Sequence, residues 1–205
     1  MTISSLRTPH VSIDELNCTG QIVVFDTEFT AWQGSAEAGW SREGEEREIV
    51  QIGAVKVDAQ NWNEVDAFAV LVKPVLNPKL STYFVNLTGI TQLELDRQGK
   101  SLADALGLFS RFLDSSSLVL SNGDDFSIIQ NNCGLLSMDS PLPTTKFRSV
   151  QHLLPQLLNG NDKPISSYKL VDFVGPQGDE VAHQAISDAR TIARTLRMLR
   201  EQSRI

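Results

Sequence analysis

Two acidic residues near the start of the chain have the spacing of a metal-binding pair. Asp26 and Glu28 follow the apolar, β-branched run 22–25, which is typical of a buried strand. Residues two apart on a strand point to the same side, so the two carboxylates would lie together and favour a cation between them. Carboxylate oxygens are ligands that suit Mg²⁺ or Mn²⁺. Because Asp-x-Glu is also common on solvated strand edges, the pair needs support from other residues.

A second acidic site lies at residues 121–125, Ser-Asn-Gly-Asp-Asp, between a short apolar run and a helical pattern. Aspartate is a common N-cap residue, so capping alone explains one of the two aspartates. Ile128 and Ile129 lie three and four residues after Asp125 and would share its helix face, which packs on the sheet. We therefore predict that Asp125 points inward as a metal ligand and that Asp124 caps the helix. The reverse assignment stays open.

A histidine and a further aspartate stand at the start of the last helical pattern. His183 and Asp188 are separated by four residues, and the chain has only three histidines. The ordinary pKa of histidine, near 6.5, suits proton transfer at neutral pH, although an isolated histidine is more often structural. Because this one lies beside an acidic residue on a helix that must pack on the sheet, we assign both residues to the same candidate site.

The elements that must position these residues are predicted from hydrophobic periodicity. Strands close together in the sequence, which favour an antiparallel meander, are predicted at 22–25, 49–57 and 66–72. The second half alternates, with helices at 101–113, 125–136, 153–158 and 182–200 and strands at 118–120 and 146–150. This order predicts an α/β fold whose mixed sheet has three antiparallel strands followed by parallel strands, with helices on both faces.

Length and charge limit the possible functions. The chain has 205 residues, which fits a single domain over 1–205, with a core at about 20–200 and an N-terminal extension at 1–19. A net charge of −7 argues against a protein that coats nucleic acid, but it allows an enzyme that holds a few terminal nucleotides. No apolar run has the length of a signal peptide or membrane helix, which favours a cytoplasmic protein.

The order of the three acidic motifs resembles that of the DEDDh exonucleases of the RNase H-like superfamily. The Asp-x-Glu motif of that family is matched by Asp26 and Glu28, and its second-motif aspartate by Asp125. Its His-x4-Asp motif is matched by His183 and Asp188. Taken together, the motifs are highly specific, and the resemblance covers about residues 20–200.

Three further segments add to the resemblance. Residues 48–55 are similar to the second-strand signature of the family, and residues 87–91 are similar to its Leu-Thr-Gly-Ile segment, which precedes the first helix. Residues 30–47 have no clear period and are predicted to form a long loop. A loop of this length looks like the subgroup that trims histone messenger RNA and small RNAs.

The resemblance implies a 3′→5′ exonuclease with two Mg²⁺ or Mn²⁺ ions and a nucleoside 5′-monophosphate as product. It implies that Asp26 bridges both ions and that Glu28 and Asp188 hold the ion on the side of the attacking water. Asp125 would act on the other ion through water. His183 would accept the proton of the attacking water.

The substrate implied by the resemblance is the 3′ end of single-stranded RNA or DNA. Thr27 and Phe29, which flank the first motif, are predicted to contact the terminal nucleotide. Trp32 and Trp40 are candidates for base stacking, although a role in anchoring the loop is as reasonable. Four basic residues could contact phosphates or be ordinary surface charges, namely Arg42, Arg47, Lys146 and Arg148.

Two other functions are compatible with the same fold. The chain could be a non-catalytic module that binds nucleic acid or a protein, but such relatives usually lack a metal ligand or the histidine, and all five positions are filled here. It could also hydrolyse another phosphodiester, such as a dinucleotide. Dependence of catalysis on Mg²⁺ or Mn²⁺ separates the enzyme from the binding module.

Overall fold

The computed structural model describes residues 7–177 and 183–205. Its centre is one five-stranded sheet in the order β3-β2-β1-β4-β5. The strands are β1 (Gln21–Phe29), β2 (Ile49–Asp58), β3 (Glu64–Leu71), β4 (Ser116–Ser121) and β5 (Phe147–Ser149). The α-helices described are α1 (Ile13–Leu16), α2 (Ser35–Ala38), α3 (Thr82–Thr88), α4 (Gln92–Gln98), α5 (Leu102–Phe112), α6 (Asp125–Leu135), α7 (Leu153–Asn159), α8 (Val171–Val174) and α9 (Ala185–Glu201), with short 3-10 helices at Thr144–Lys146 and Ser167–Leu170.

The pairing of the strands confirms the predicted mixed sheet. β1 pairs with β2 and β2 pairs with β3 in antiparallel ladders, while β4 pairs in parallel with both β1 and β5. Strand β1 is central and buried on both faces, as its continuous apolar run predicted. In the β1–β2 ladder, Asp26 lies opposite Gly53.

Alternate residues of β1 enter two cores, one on each face of the sheet. Val23 and Phe25 pack on the face that carries α5 and α6. Ile22 and Val24 pack on the other face, against α7 and α9. Full burial of each of these side chains stabilises the fold by about 1.5–3 kcal/mol. The two cores confirm the prediction of helices on both faces, and they fix which way the odd-numbered and even-numbered residues of β1 point.

Helices α3 and α4 were not predicted, and they correct the interpretation of residues 87–91. Its first two residues end α3 and its last three lead into α4, so the expectation that it precedes the first helix is wrong. Gly89 ends α3 in a left-handed conformation with φ 74°, and the Thr91 side chain caps α4. Each helix has only seven residues, which is too short for hydrophobic periodicity to identify.

The last helix begins at Ala185, later than the predicted start at residue 182, which lies outside the described residues. The backbone of His183 is left-handed, with φ 62°, and the Gln184 N-cap is extended. A helix cannot include a residue in the left-handed region, so the backbone at His183 sets the boundary.

The N-terminal residues that the structure describes pack on the edge of the sheet. His10 forms a parallel bridge with Ser149, and the Val11 amide donates to the Ser149 carbonyl at 3.0 Å. This contact covers the exposed edge of β5. The division into a core and an extension at 1–19 stays a prediction. Among the described residues, no helix has the length and apolar character needed to cross a membrane.

Candidate active site

A cleft of about 540 Å³ lies where β1 and β4 end beside the start of α9. Asp26 and Glu28 point from β1 toward the face that carries α9, because they are two apart on one strand. Asp188, in the first turn of α9, faces them. One carboxylate oxygen from each of the three residues lies within 4.8 Å of the other two.

The start of α9 is fixed by two residues of β2. Gly53 has no side chain, and a methyl group at this position would overlap the backbone of Ala185 and Ile186. The Gln51 side chain accepts a hydrogen bond from the Ala185 amide at 2.8 Å. The close approach of helix and strand brings Asp188 next to Asp26.

The two neighbouring aspartates at the start of α6 have different environments. Asp125 is buried and lines the cleft, and its carboxylate accepts hydrogen bonds from the Thr27 hydroxyl at 2.7 Å and the Thr27 amide at 3.2 Å. Asp124 also lines the cleft, but it is exposed and accepts instead from the Thr8 hydroxyl and amide and from the Ser127 hydroxyl, at 2.6, 2.8 and 2.6 Å. The inward position favours Asp125 as the ligand, which stays a prediction.

The predicted capping by Asp124 is correct in position but not in mechanism. Asp124 is the N-cap residue of α6, yet its side chain forms no capping hydrogen bond to the helix backbone. Its carboxylate is instead shared between Thr8 and Ser127. The aspartate therefore ties the N-terminal segment to the start of α6.

His183 borders the cleft on the side of α9. Its ring lies 4.5 Å from that of Tyr168, measured between the ring centroids, at an interplanar angle of 42°. Burial lowers the pKa of His183 below its ordinary value of 6.5, so the imidazole is neutral at pH 7. A neutral imidazole can accept a proton, as the sequence prediction for this residue requires.

The carboxylates of the cleft destabilise one another's charges. Burial, followed by the charges of Asp125, Glu28 and Asp188, raises the pKa of Asp26 well above its ordinary value of 3.8. Burial and the charges of Asp188 and Asp125 raise the pKa of Glu28 to about 8. Burial also raises the pKa of Asp125, although the hydrogen bonds from Thr27 oppose this shift. Such a set of buried oxygen donors fits divalent cations, which would relieve the repulsion.

Several residues of the site were missed from the sequence. The Ser167 hydroxyl donates to the Asp26 carboxylate at 3.1 Å, and Tyr168 packs on His183. Both residues lie in a short 3-10 helix whose sequence has no motif. Gln51 and Gly53 lie in the segment 48–55 that the resemblance included. No local sequence pattern indicated that they contact α9.

The predicted substrate contacts separate into residues inside and outside the cleft. Thr27, Phe29 and both tryptophans, Trp32 and Trp40, line it. Of the four basic candidates, Arg47 alone lines it. The others bind elsewhere in the protein: Arg42 to Glu45 and two carbonyls of its own loop, Lys146 to the Ser116 carbonyl, and Arg148 to Glu15. The loop at 30–47 is irregular, as predicted, apart from the single turn of α2.

Comparison with known proteins gives consistent matches. The exonuclease family model RNase_T matches residues 23–196. The 3′-5′ exonuclease eri1 of Schizosaccharomyces pombe is 25% identical over 216 residues, which cover 92% of this chain and 70% of that protein. The 3′-5′ exonuclease Snipper of Drosophila melanogaster is 32% identical over 92 residues, which cover 45% of this chain and 31% of that protein.

A solved structure shares the fold. The nuclease domain of 3′hExo, a DEDDh family member bound to rAMP, superimposes with a TM-score of 0.71 at 20% identity, over 90% of this chain and 93% of that domain. The exonuclease family depends on divalent metal ions, in agreement with the acidic cluster. Because the family model spans all five motif residues and most of the chain, the protein belongs to the DEDDh 3′→5′ exonuclease family and is a hydrolytic nuclease.

Proposed function

We propose that the enzyme removes nucleotides one at a time from the free 3′ end of single-stranded RNA or DNA, with two Mg²⁺ or Mn²⁺ ions held by four carboxylates. The observation that carries this proposal is the approach of Asp26, Glu28 and Asp188 to within 4.8 Å, with Asp125 on the same cleft. Four mutually repelling carboxylates, three of them buried and Glu28 half-buried, are a costly arrangement without cations.

Each carboxylate has its own support. Asp26 lies centrally, where the charges of Asp125, Glu28 and Asp188 all act on it, and Ser167 orients its carboxylate. Glu28 and Asp188 complete one side of the cluster. Asp125 is held on the other side by the Thr27 hydroxyl. When bound, a pair of divalent ions activates water and stabilises the charge on phosphorus and on the leaving 3′ oxygen.

His183 is the proposed general base. Its imidazole is neutral at pH 7, because burial lowers its pKa, and it borders the same cleft as the carboxylates. It would accept the proton of the attacking water at a ring nitrogen, while the ring stays packed against Tyr168. Attack on the last phosphodiester breaks the bond to the 3′ oxygen, so the products are a nucleoside 5′-monophosphate and a shortened strand.

The substrate class follows the relatives. One similar solved structure shows recognition of a histone mRNA stem-loop by a 3′-exonuclease, and 3′hExo was solved with rAMP. Another, E. coli exonuclease I, was solved with DNA oligonucleotides. RNA and DNA are therefore both proposed substrates. A cytoplasmic location also stays a prediction.

The test is a time course on 5′-labelled RNA and DNA of equal sequence, with Mg²⁺, Mn²⁺ or EDTA. We expect a ladder that shortens from the 3′ end, requires a divalent cation and is lost in His183→Ala. The relative cleavage rates of RNA and DNA show which of the two the enzyme prefers. An intact substrate in every lane, with folded protein, would contradict the proposal and favour the binding module.

A further inference from the structure

One cationic side chain in the cleft, that of Arg47, is held in place by aromatic rings and has no ionic partner among the described residues. The Arg47 guanidinium lies 4.0 Å from the centroid of the Trp40 ring and 5.1 Å from that of Phe29. The two rings meet edge to face at 5.3 Å. Stacking on the aromatic faces fixes the plane of the guanidinium and leaves its N–H edges available.

The surroundings of Arg47 are rigid. The Trp40 indole donates to the Thr30 carbonyl at 2.8 Å, which anchors the ring. The Asn132 amide of α6 donates to the Arg47 carbonyl at 2.8 Å, which anchors the backbone. A side chain that is already ordered loses little conformational entropy when it binds a ligand.

The N–H donors of Arg47 differ in their use from those of Arg42, the other arginine of the loop. Within the part of the chain that the structure describes, its guanidinium forms no hydrogen bond and no ion pair. Arg42 of the same loop, in contrast, is bound to Glu45 and to two backbone carbonyls. Burial lowers the pKa of Arg47, while the charges of Asp125 and Asp124 raise it, and arginine remains a cation at neutral pH.

Arg47 also stands between two cavities. Beside the cleft lies a second cavity of about 470 Å³ between the loop and α6. The two cavities share Trp40, Arg47 and Ile128 as lining residues. The second cavity adds the amide of Asn131 and the exposed Leu135, a mixture of polar and apolar surface that suits a nucleobase. It also contains the carboxylates of Glu45, which is paired with Arg42, and of Glu46, so the phosphates of a strand would stay at the Arg47 side of this cavity.

We propose that Arg47 binds a phosphate on the 5′ side of the bond that is cut, and that the cavity between the loop and α6 receives the upstream nucleotides. The ligand class is a phosphodiester strand. An arginine edge pairs with two phosphate oxygens at once, and Arg47 lines both the cleft that holds the carboxylates and the cavity beside it. This inference rests on the 3′→5′ exonuclease function proposed above.

The experiment compares a dinucleoside monophosphate, which has only the scissile phosphate, with a tetranucleotide of the same base. In Arg47→Ala, the ratio of kcat/KM for the tetranucleotide to kcat/KM for the dinucleotide should fall about 10-fold or more, mainly through KM. Methylphosphonates at the upstream linkages should cause a similar loss in the wild-type enzyme and little further loss in the variant.

Two variants separate binding from structure. Arg47→Lys keeps the charge but not the planar edge, so it should recover only part of the ratio. Arg111→Ala removes an exposed arginine of α5 far from the cleft, and both substrates should be cleaved as by the wild type. A ratio that is unchanged in Arg47→Ala, whether neither substrate or both substrates are cleaved more slowly, would overturn the proposal.

A binding measurement keeps this inference separate from the proposed hydrolysis. Anisotropy of a labelled tetranucleotide, in Ca²⁺ and on a His183→Ala background, should show weaker binding when Arg47 is also replaced by Ala. If the wild type cleaves neither substrate, the proposed function fails, while the anisotropy still decides the role of Arg47. Equal affinity with and without Arg47 would contradict the inference.

Discussion

At the scale of single residues, the cleft combines groups that are unfavourable in isolation. The pKa of Glu28 is raised to about 8, and that of Asp26 well above its ordinary value, because both are buried among other carboxylates. The Ser167 hydroxyl offsets part of this cost at Asp26, and the Thr27 hydroxyl offsets the cost of burying Asp125. The cluster is therefore arranged for a bound cation, and its stability should depend on pH and metal together.

The metal-free protein should lose stability as the pH rises from about 4.5 to about 8. In this window the folded protein keeps a proton on Glu28 that the unfolded chain, with an ordinary pKa of 4.5, has lost. The stabilisation is complete below the unfolded pKa and disappears as the pH passes the folded one. The loss is on the order of 5 kcal/mol.

Thermal unfolding in EDTA across this range measures the effect. Saturating Mn²⁺ should remove the decline, because a bound cation stabilises the ionised carboxylates. A metal-free unfolding temperature that stays constant or rises between pH 5 and pH 8 would show that the carboxylates do not repel one another as the structure indicates.

Thr27 is expected to act through Asp125. Thr27→Val removes the hydroxyl donor at 2.7 Å and leaves the Asp125 carboxylate without one of its two bonds from this residue. We expect kcat to fall about 10-fold, consistent with the loss of one hydrogen bond to a charged group. Thr27→Ser keeps the hydroxyl and should retain most of the activity. Steady-state kinetics that show equal losses for both variants would point to direct substrate contact or packing instead.

At the scale of elements, the site depends on how closely α9 approaches the sheet. His183 immediately precedes α9 and Asp188 lies in its first turn, whereas Asp26 and Glu28 belong to β1. The contact between them is set by β2, where Gly53 admits the helix backbone and Gln51 binds the Ala185 amide. A substitution in β2 should therefore displace His183 and Asp188, although neither residue lies in that strand.

Gly53→Ala should reduce both stability and activity. The added methyl group meets backbone atoms of Ala185 and Ile186, which cannot rotate away, so α9 must shift. Overpacking of this kind costs about 1–3 kcal/mol, and a displacement of about 1 Å at the site can lower the rate about 100-fold.

Gly107→Ala is a matched control for this substitution. Gly107 lies within α5, and a methyl group there meets only the tip of the Arg111 side chain at 4.0 Å. Alanine in a helix should raise stability by about 0.5–1 kcal/mol with unchanged activity. Denaturant unfolding measures the stability of both variants, and steady-state kinetics measures their activity. Normal activity in Gly53→Ala would contradict the proposed role of β2.

At the scale of the whole molecule, the net charge is −7, and Arg47 is the one arginine among the described residues that line the cleft. Substrate binding should therefore have a weak dependence on salt, with a slope of log affinity against log salt near −1 for one phosphate contact. Anisotropy between about 50 and 200 mM salt measures the slope. A slope steeper than about −4 would require several phosphate contacts, contrary to the inference from the cleft.

The sequence by itself determined the mixed sheet in outline, and it predicted five motif residues whose roles stay predictions. The strands were predictable because β-branched runs and alternation are local properties, and Asp26 and Glu28 share a side because they are two apart on a strand. Helix α5 was predictable from its period. Helices α3 and α4 were not, because seven residues cover barely two turns.

Only the tertiary structure decided how the motifs meet. Ser167 and Asp26 are 141 positions apart, Gln51 and Ala185 are 134 apart, and Thr27 and Asp125 are 98 apart. Contacts over such separations depend on the packing of whole elements, and no local pattern in the sequence specifies them. The position of Arg47 also depends on this packing. The sequence showed only that Arg47 was one of four basic candidates. Its place in the cleft follows from the packing of Trp40, Phe29 and α6 around it.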